Sequence, residues 1–218
     1  MPIVPAAVIF DLGIGKATVR PDVHMGEGAA AAATADAVAE GNVGVGTGAT
    51  VGKIRGMKCA MKAGVGSWTV SLAGGVLVSS LAVVNAFGDV RDPATGKIVA
   101  GARTAPDSKE FLNTAEEMKR KPPAGWGRMN TTLGVVATNA KLTKVEATRL
   151  ARFASLALGR CIYPINTSFD GDTVFALSCG ELRADLNVLG EAAAESLAAA
   201  ILRSVRMAKT LGGVTGLG

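Results

Sequence analysis

Apolar and polar positions alternate along the chain in two rhythms, one of strands and one of helices. Residues 3–12 are almost all apolar and run into Gly13-Ile14-Gly15, which predicts a buried strand closed by a turn. Asp22 stands where an N-cap belongs ahead of the Ala-rich residues 23–40, predicting a helix whose small side chains pack close to a sheet. Between residues 65 and 88 two apolar runs flank Gly74-Gly75, the signal of a hairpin, with Asn85 at the end of the second strand. Asp92-Pro93-Ala94-Thr95-Gly96 reads as a turn before a short strand over residues 98–102. Asp107 is placed to cap an amphipathic helix over residues 108–119, with Phe111, Leu112, Ala115 and Met118 on one face. The breaker Pro122-Pro123-Ala124-Gly125-Trp126-Gly127 then leads to a further β-type run that begins at Thr131. Thr143-Lys144-Val145-Glu146 is a capping box opening a helix to Leu158, with Gly159 as its stop. A strand over residues 173–178 follows the turn Asp170-Gly171-Asp172, and a last helix over residues 185–209 carries Leu189, Leu197, Ile201 and Val205 toward a core. Helices cluster around groups of strands instead of alternating with them, so the expected α/β layout is two sheets stacked face to face with helices outside.

Composition narrows this picture. The 218 residues suit one domain, and 49% hydrophobic against 19% charged residues marks a globular chain. Only 4% are aromatic, so Ala, Val, Leu and Ile must fill the core, with 28 glycines letting elements come close. The net charge of +5 is scattered, apart from Lys119-Arg120-Lys121, which reads as a solvated helix end; no basic stripe with interleaved aromatics points to nucleic acid. Cys59, Cys161 and Cys179 are odd in number and far apart, which argues against a disulfide framework or a zinc site and fits a reducing, cytoplasmic compartment. No basic region precedes the first apolar run, as a secretory signal requires, and the longest apolar stretch, residues 75–87, is too short to cross a bilayer. His24 has no catalytic partners nearby and reads as a surface or cap residue.

Glycine-rich residues 41–53 invite a phosphate-loop reading that their spacing refuses. Thr47 stands where a Walker loop needs its first glycine, and Ile54 where a hydroxyl should meet magnesium. Gly44-Val45-Gly46-Thr47-Gly48-Ala49 fits a loose dinucleotide pattern but lacks the strand-turn-helix context. The remaining reading is a loop whose backbone approaches something closely, with Lys53 at its end.

The chemistry gathers at Asn130-Thr131-Thr132, where a hydroxyl stands at the mouth of a buried strand. Were the chain cut before Thr131, that residue would carry a nucleophilic hydroxyl and a basic α-amine together, the layout of an N-terminal-nucleophile hydrolase. Asp170-Gly171-Asp172 is open to two readings, a plain turn or cation loop, or a pair of carboxylates that orient such an amine.

Five segments in order carry a wider likeness: residues 4–12, 41–53, 84–90, 130–132 and 169–176. Together they resemble the DmpA family of peptidases, which includes L-aminopeptidase/D-amidase/esterases, β-aminopeptidases and nylon-oligomer hydrolases. The resemblance implies a four-layer αββα sandwich and self-cleavage into residues 1–130 and 131–218. It implies catalysis through a Thr131 acyl-enzyme, with Asn85 holding the oxyanion, Lys53 lining the site, Asp170 and Asp172 tuning the amine, and Phe10 and Thr132 at the substrate. It further implies small peptide or amide substrates, no cofactor or metal, and homo-oligomers of cleaved protomers. Two departures stand out: family members carry a substantial segment ahead of the point matching Pro2, and Phe10 replaces a tyrosine whose hydroxyl faces the site in several active members. They leave a second expectation open, a truncated and catalytically silent subunit that binds a partner. An ornithine-acetyltransferase-like activity shares the Thr logic but not the motif at Asn130-Thr131-Thr132.

Overall fold

The computed structural model describes residues 4–120 and 130–218. In chain order the elements are α1 (Val23–Ala31), β1 (Thr50–Val51), β2 (Met61–Lys62), β3 (Val65–Ser71), β4 (Leu77–Asn85), β5 (Asp89–Arg91) and β6 (Ile98–Ala100). After these come α2 (Thr114–Arg120), β7 (Thr131–Ala140), α3 (Lys144–Cys161), β8 (Ile162–Tyr163), β9 (Thr173–Leu182) and α4 (Leu186–Arg206). The main sheet orders its four strands β3-β4-β7-β9, antiparallel except for the last pair. β3 and β4 form the expected hairpin, turned by Gly74 and Gly75 at φ of 72° and 77°. A parallel pair needs a crossover, and α3 supplies it between β7 and β9. Two smaller sheets, β1-β2 and β6-β5-β8, complete the strands among the described residues.

β7 is buried at every second residue, from Thr132 through Gly134, Val136 and Thr138 to Ala140. That face looks toward the helices: Ser80, opposite Val136 in register, shares a 2.7 Å hydrogen bond with Ser196 of α4. Gly66 lies on the same face, where a Cβ would run into the Ala200 carbonyl and the Ser204 backbone. Small residues therefore set the helix-to-sheet spacing, and α3 and α4 bury Leu150, Ala154, Leu158, Leu189, Leu197 and Ile201 with little aromatic filling. The opposite face aligns Leu81, Val135 and Phe175 across three strands, and none of them is fully buried.

Several expectations need correction. Residues 4–12 are not a strand; Val4 and Val8 are more than four-fifths exposed, and no neighbouring strand pairs with them among the described residues. The helix capped by Asp22 stops at Ala31 and buries none of its residues, so it does not pack on a sheet. The helix expected from residue 108 begins at Thr114, where Asn113 accepts the Glu116 N–H at 3.3 Å as a local cap and the distant Asp89 accepts the Thr114 N–H and hydroxyl. Gly159 does not stop α3, which runs on to Cys161 on a core-facing stripe, and β9 extends to Leu182. The expected breaker at residues 122–127 lies outside the described residues.

Candidate active site

The site grows out of sheet register. β4 and β7 pair so that Asn85, the last residue of one, sits directly opposite Thr131, the first of the other. On the far side a bridge between Asn130 and Asp170 brings the Asp170-Gly171-Asp172 turn alongside. Both Asn85 and Thr131 lie on the sheet face turned away from α3 and α4, since they alternate with the buried Val84 and Thr132.

Thr131 Oγ1 donates to the carbonyl oxygen of Asn130 at 2.6 Å, and the Gly171 N–H donates to that same oxygen at 2.9 Å. The carbonyl ahead of Thr131 is thus polarised beside a hydroxyl. A glycine gives this approach its room: a Cβ on Gly171 would stand 3.1 Å from Thr131 Oγ1, and the hydroxyl would have to give way by a few tenths of an ångström. Asp172 braces the strand entrance, accepting the Thr132 N–H at 2.6 Å and the Asn166 N–H at 3.3 Å. Burial raises its pKa, and the charge of Asp170 adds to the effect. Asp170 accepts the Thr167 N–H and hydroxyl through Oδ2, while its other oxygen, Oδ1, is buried with no hydrogen-bond partner among the described residues.

Lys53 ties the pieces together. Its Nζ reaches the Asn85 side-chain oxygen at 2.7 Å, the Asn85 backbone oxygen at 3.2 Å and the Asn130 side-chain oxygen at 2.9 Å. The lysine is placed by Gly52, whose φ of 70° and contact with the Ala102 backbone exclude any side chain. Burial pulls its pKa down to about 7; Asp170 and Asp11 oppose the shift and Lys62 adds to it. Asn85 also accepts the Thr50 N–H at 3.2 Å, and its Nδ2 donates to the Phe10 carbonyl at 3.1 Å.

The two expected substrate residues, Thr132 and Phe10, lie against Asp172 and Asn85 respectively. Thr132 has a fully buried side chain on the helix face and gives its backbone N–H to Asp172. Phe10 is 42% exposed and touches Asn85 through its carbonyl. Two groups escaped the sequence reading. The Gly171 N–H has no letter of its own, and Lys62 looks like any strand lysine, yet it is fully buried with Nζ on the Thr47 and Ala49 carbonyls at 2.8 and 2.7 Å. Burial lowers its pKa to about 8, against the pull of Asp11.

With this geometry in hand, comparison with known proteins is decisive at the level of the family: the model of peptidase family S58 matches residues 1–217. The chain belongs to peptidase family S58. Among curated relatives of this S58 chain, an uncharacterised aminopeptidase of Mycobacterium bovis is 39% identical over 98% of the chain and 66% of its own length. A 6-aminohexanoate-oligomer endohydrolase of Paenarthrobacter ureafaciens is 28% identical over 83% of the chain and 51% of its own. The chain thus spans about two thirds of the first relative's length and half of the second's. A solved β-aminopeptidase of Burkholderia sp. superposes with a TM-score of 0.56 at 25% identity, covering 88% of this chain and 54% of that one. The L-aminopeptidase D-Ala-esterase/amidase of Ochrobactrum anthropi, a variant of the Ntn hydrolase fold, gives 0.52 at 21% identity over 80% and 47%. The fold is accordingly the α/β αββα sandwich of these neighbours. No helix among the described residues is long and apolar enough to cross a membrane.

Proposed function

We propose that this S58 chain cuts itself between Asn130 and Thr131 and then acts as an amidohydrolase with Thr131 as its N-terminal nucleophile. One observation carries the reading: the Thr131 hydroxyl and the Gly171 N–H converge on the carbonyl of the bond to be cut, at 2.6 and 2.9 Å. In self-cleavage the hydroxyl oxygen bonds to the Asn130 carbonyl carbon while Gly171 steadies the oxygen, as an oxyanion donor does. The C–N bond then breaks, the nitrogen of Thr131 takes the proton, and water hydrolyses the resulting ester. The freed α-amine accepts the hydroxyl proton when Thr131 attacks a substrate carbonyl. Asp170 Oδ1, buried beside this point with no hydrogen-bond partner among the described residues, is the acceptor available to the protonated amine. Asn85 and Lys53 supply donors on the other side, and neither a cofactor nor a metal enters any step.

The substrate class is small peptides and amino-acid amides, in keeping with the aminopeptidase and oligomer endohydrolase names of the relatives. A silent, partner-binding subunit is the second reading. It is favoured by the Phe10 carbonyl, which occupies the amide of Asn85 that would otherwise meet an oxyanion. Intact-mass spectrometry of purified protein separates the two. Expected are pieces of residues 1–130 and 131–218, with Thr131→Ala remaining whole. A parent chain that stays uncut after prolonged incubation, like the variant, overturns the first reading.

A further inference from the structure

Residues 4–39 hang on the body of the molecule by one short stretch. Every one of them is exposed except Ile9, Asp11, Leu12 and Ile14, which are half-buried. The stretch has no strand partner among the described residues, and α1 beyond it buries nothing. Contacts at Phe10, Asp11 and Ile14 fix it beside the candidate site. The Phe10 carbonyl accepts from Asn85 Nδ2 at 3.1 Å, at the strand end directly opposite Thr131. Asp11 lies against Gly48: a Cβ there would stand 2.0 Å from Asp11 Oδ2, and its three nearest atoms would all be Asp11's. From that place the Asp11 charge favours the ammonium forms of Lys53 and Lys62. Ile14 lies over Gly212, its Cγ2 2.8 Å from where a Cβ would stand. A turn joins these two anchors, the Ile14 N–H donating to the Asp11 carbonyl at 3.1 Å.

An amide that is to steady an oxyanion must aim its N–H at the substrate carbonyl, and here a carbonyl of the chain itself takes that donor. The contact is easily undone. Half-exposed side chains and a backbone carbonyl hold the stretch, and the exposed residues on both sides of it let it lift without opening the core. We propose that residues 9–14 form an autoinhibitory strap, which keeps the Phe10 carbonyl on Asn85 in place of the substrate carbonyl and lifts to admit substrate. The inference rests on Thr131 acting as the nucleophile, since only then does Asn85 face a reacting carbonyl. The strap also reconciles the two readings of the site, because a competent chain is silent while the strap is down.

The test compares the full parent chain with Ile14→Ser, which removes an anchor from the strap, and Gly48→Ala, whose methyl pushes Asp11 away from the body. Intact mass establishes self-cleavage in each sample, and hydrolysis of L-alanine p-nitroanilide then gives KM and kcat. A strap closed about nine-tenths of the time weakens apparent affinity about tenfold, so both variants should lower KM by up to that factor at parental kcat. A synthetic peptide of residues 7–15 should raise KM again in both variants, competitively, with an inhibition constant on the order of 1 mM. Cleaved variants with parental KM, or a peptide that does not compete, overturn the strap and leave the nucleophile reading intact. Three uncut chains overturn that reading, and the strap falls with it. Hydrogen exchange of the parent needs no substitution: the Ile14 N–H should exchange faster under saturating L-alaninamide, and unchanged protection overturns the proposal.

Discussion

At the scale of single residues, the candidate site depends on how closely Gly171 approaches Thr131. Gly171→Ala keeps the N–H but places a methyl 3.1 Å from Thr131 Oγ1, pushing the hydroxyl off the Asn130 carbonyl. Self-cleavage followed by mass against time should slow by about tenfold or more, as displacement of a reacting atom does. Parental kinetics would remove Gly171 from the reaction. Lys53 leads to a pH prediction. Its pKa near 7 in the folded chain lies below the ordinary 10.5, so between these values the unfolded chain binds more protons and stability rises with pH. Urea midpoints should therefore climb from about pH 7 to about pH 9, and Lys53→Met should flatten part of that climb, Lys62 supplying the rest from about 8 upward. A slope unchanged in Lys53→Met would show that the lysine is not held as described. Lys53 and Asn85 stood out in the sequence only through the family resemblance, and Asp170 and Asp172 as one of two readings of their turn; sheet register is what brings the four around Thr131. Gly171 and Lys62 did not stand out: one acts through its backbone, and the other is set apart only by burial that tertiary packing creates.

Elements were readable where their determinants are local. The Thr143–Glu146 capping box opens α3, Asp185 caps α4, and two left-handed glycines turn the β3-β4 hairpin, all within a few residues of the element they define. Reading failed where the determinant is distant. Asp89, fully buried, accepts from the Thr114 N–H and hydroxyl and from the Ala102 N–H, so it anchors the first residue of α2 from 25 residues away, beside the local cap Asn113. Burial raises its pKa, while these donors oppose the shift. Asp89→Ala strands those donors in the interior and should cost about 3 kcal/mol in urea denaturation, measured as a lower midpoint at unchanged slope. A loss within experimental error would mean that water or a shifted backbone satisfies the same donors. The apolar run at residues 4–12 failed for a related reason. Its pattern suits a strand, but a strand exists only with a neighbour, and here one backbone carbonyl of the run goes to Asn85 instead.

At the scale of the molecule, the two faces of the main sheet are treated unequally. One is sealed by α3 and α4 through alanines and glycines, with Leu189, Leu197 and Ile201 fully buried. The other aligns Leu81, Val135 and Phe175 in the partly open, with Leu77 41% and Leu177 48% exposed beside them. Thr131 and Asn85 lie at one end of this same face, so whatever covers it also shields the site. An apolar surface of this kind recruits a partner, and a second copy of the chain is the occupant proposed, since two-fold association can close the same patch on both protomers. Size-exclusion chromatography with light scattering at low micromolar concentration should accordingly give a mass above the 22.0 kDa of one chain. Leu177→Lys, which sets a charge on the β9 side of the exposed face, should shift the chain toward monomer without unfolding it, because Leu177 is 48% exposed and stands outside the sealed core. A parent that elutes as a stable 22.0 kDa monomer, or a Leu177→Lys chain that associates as the parent does, would show that this face is not where copies meet.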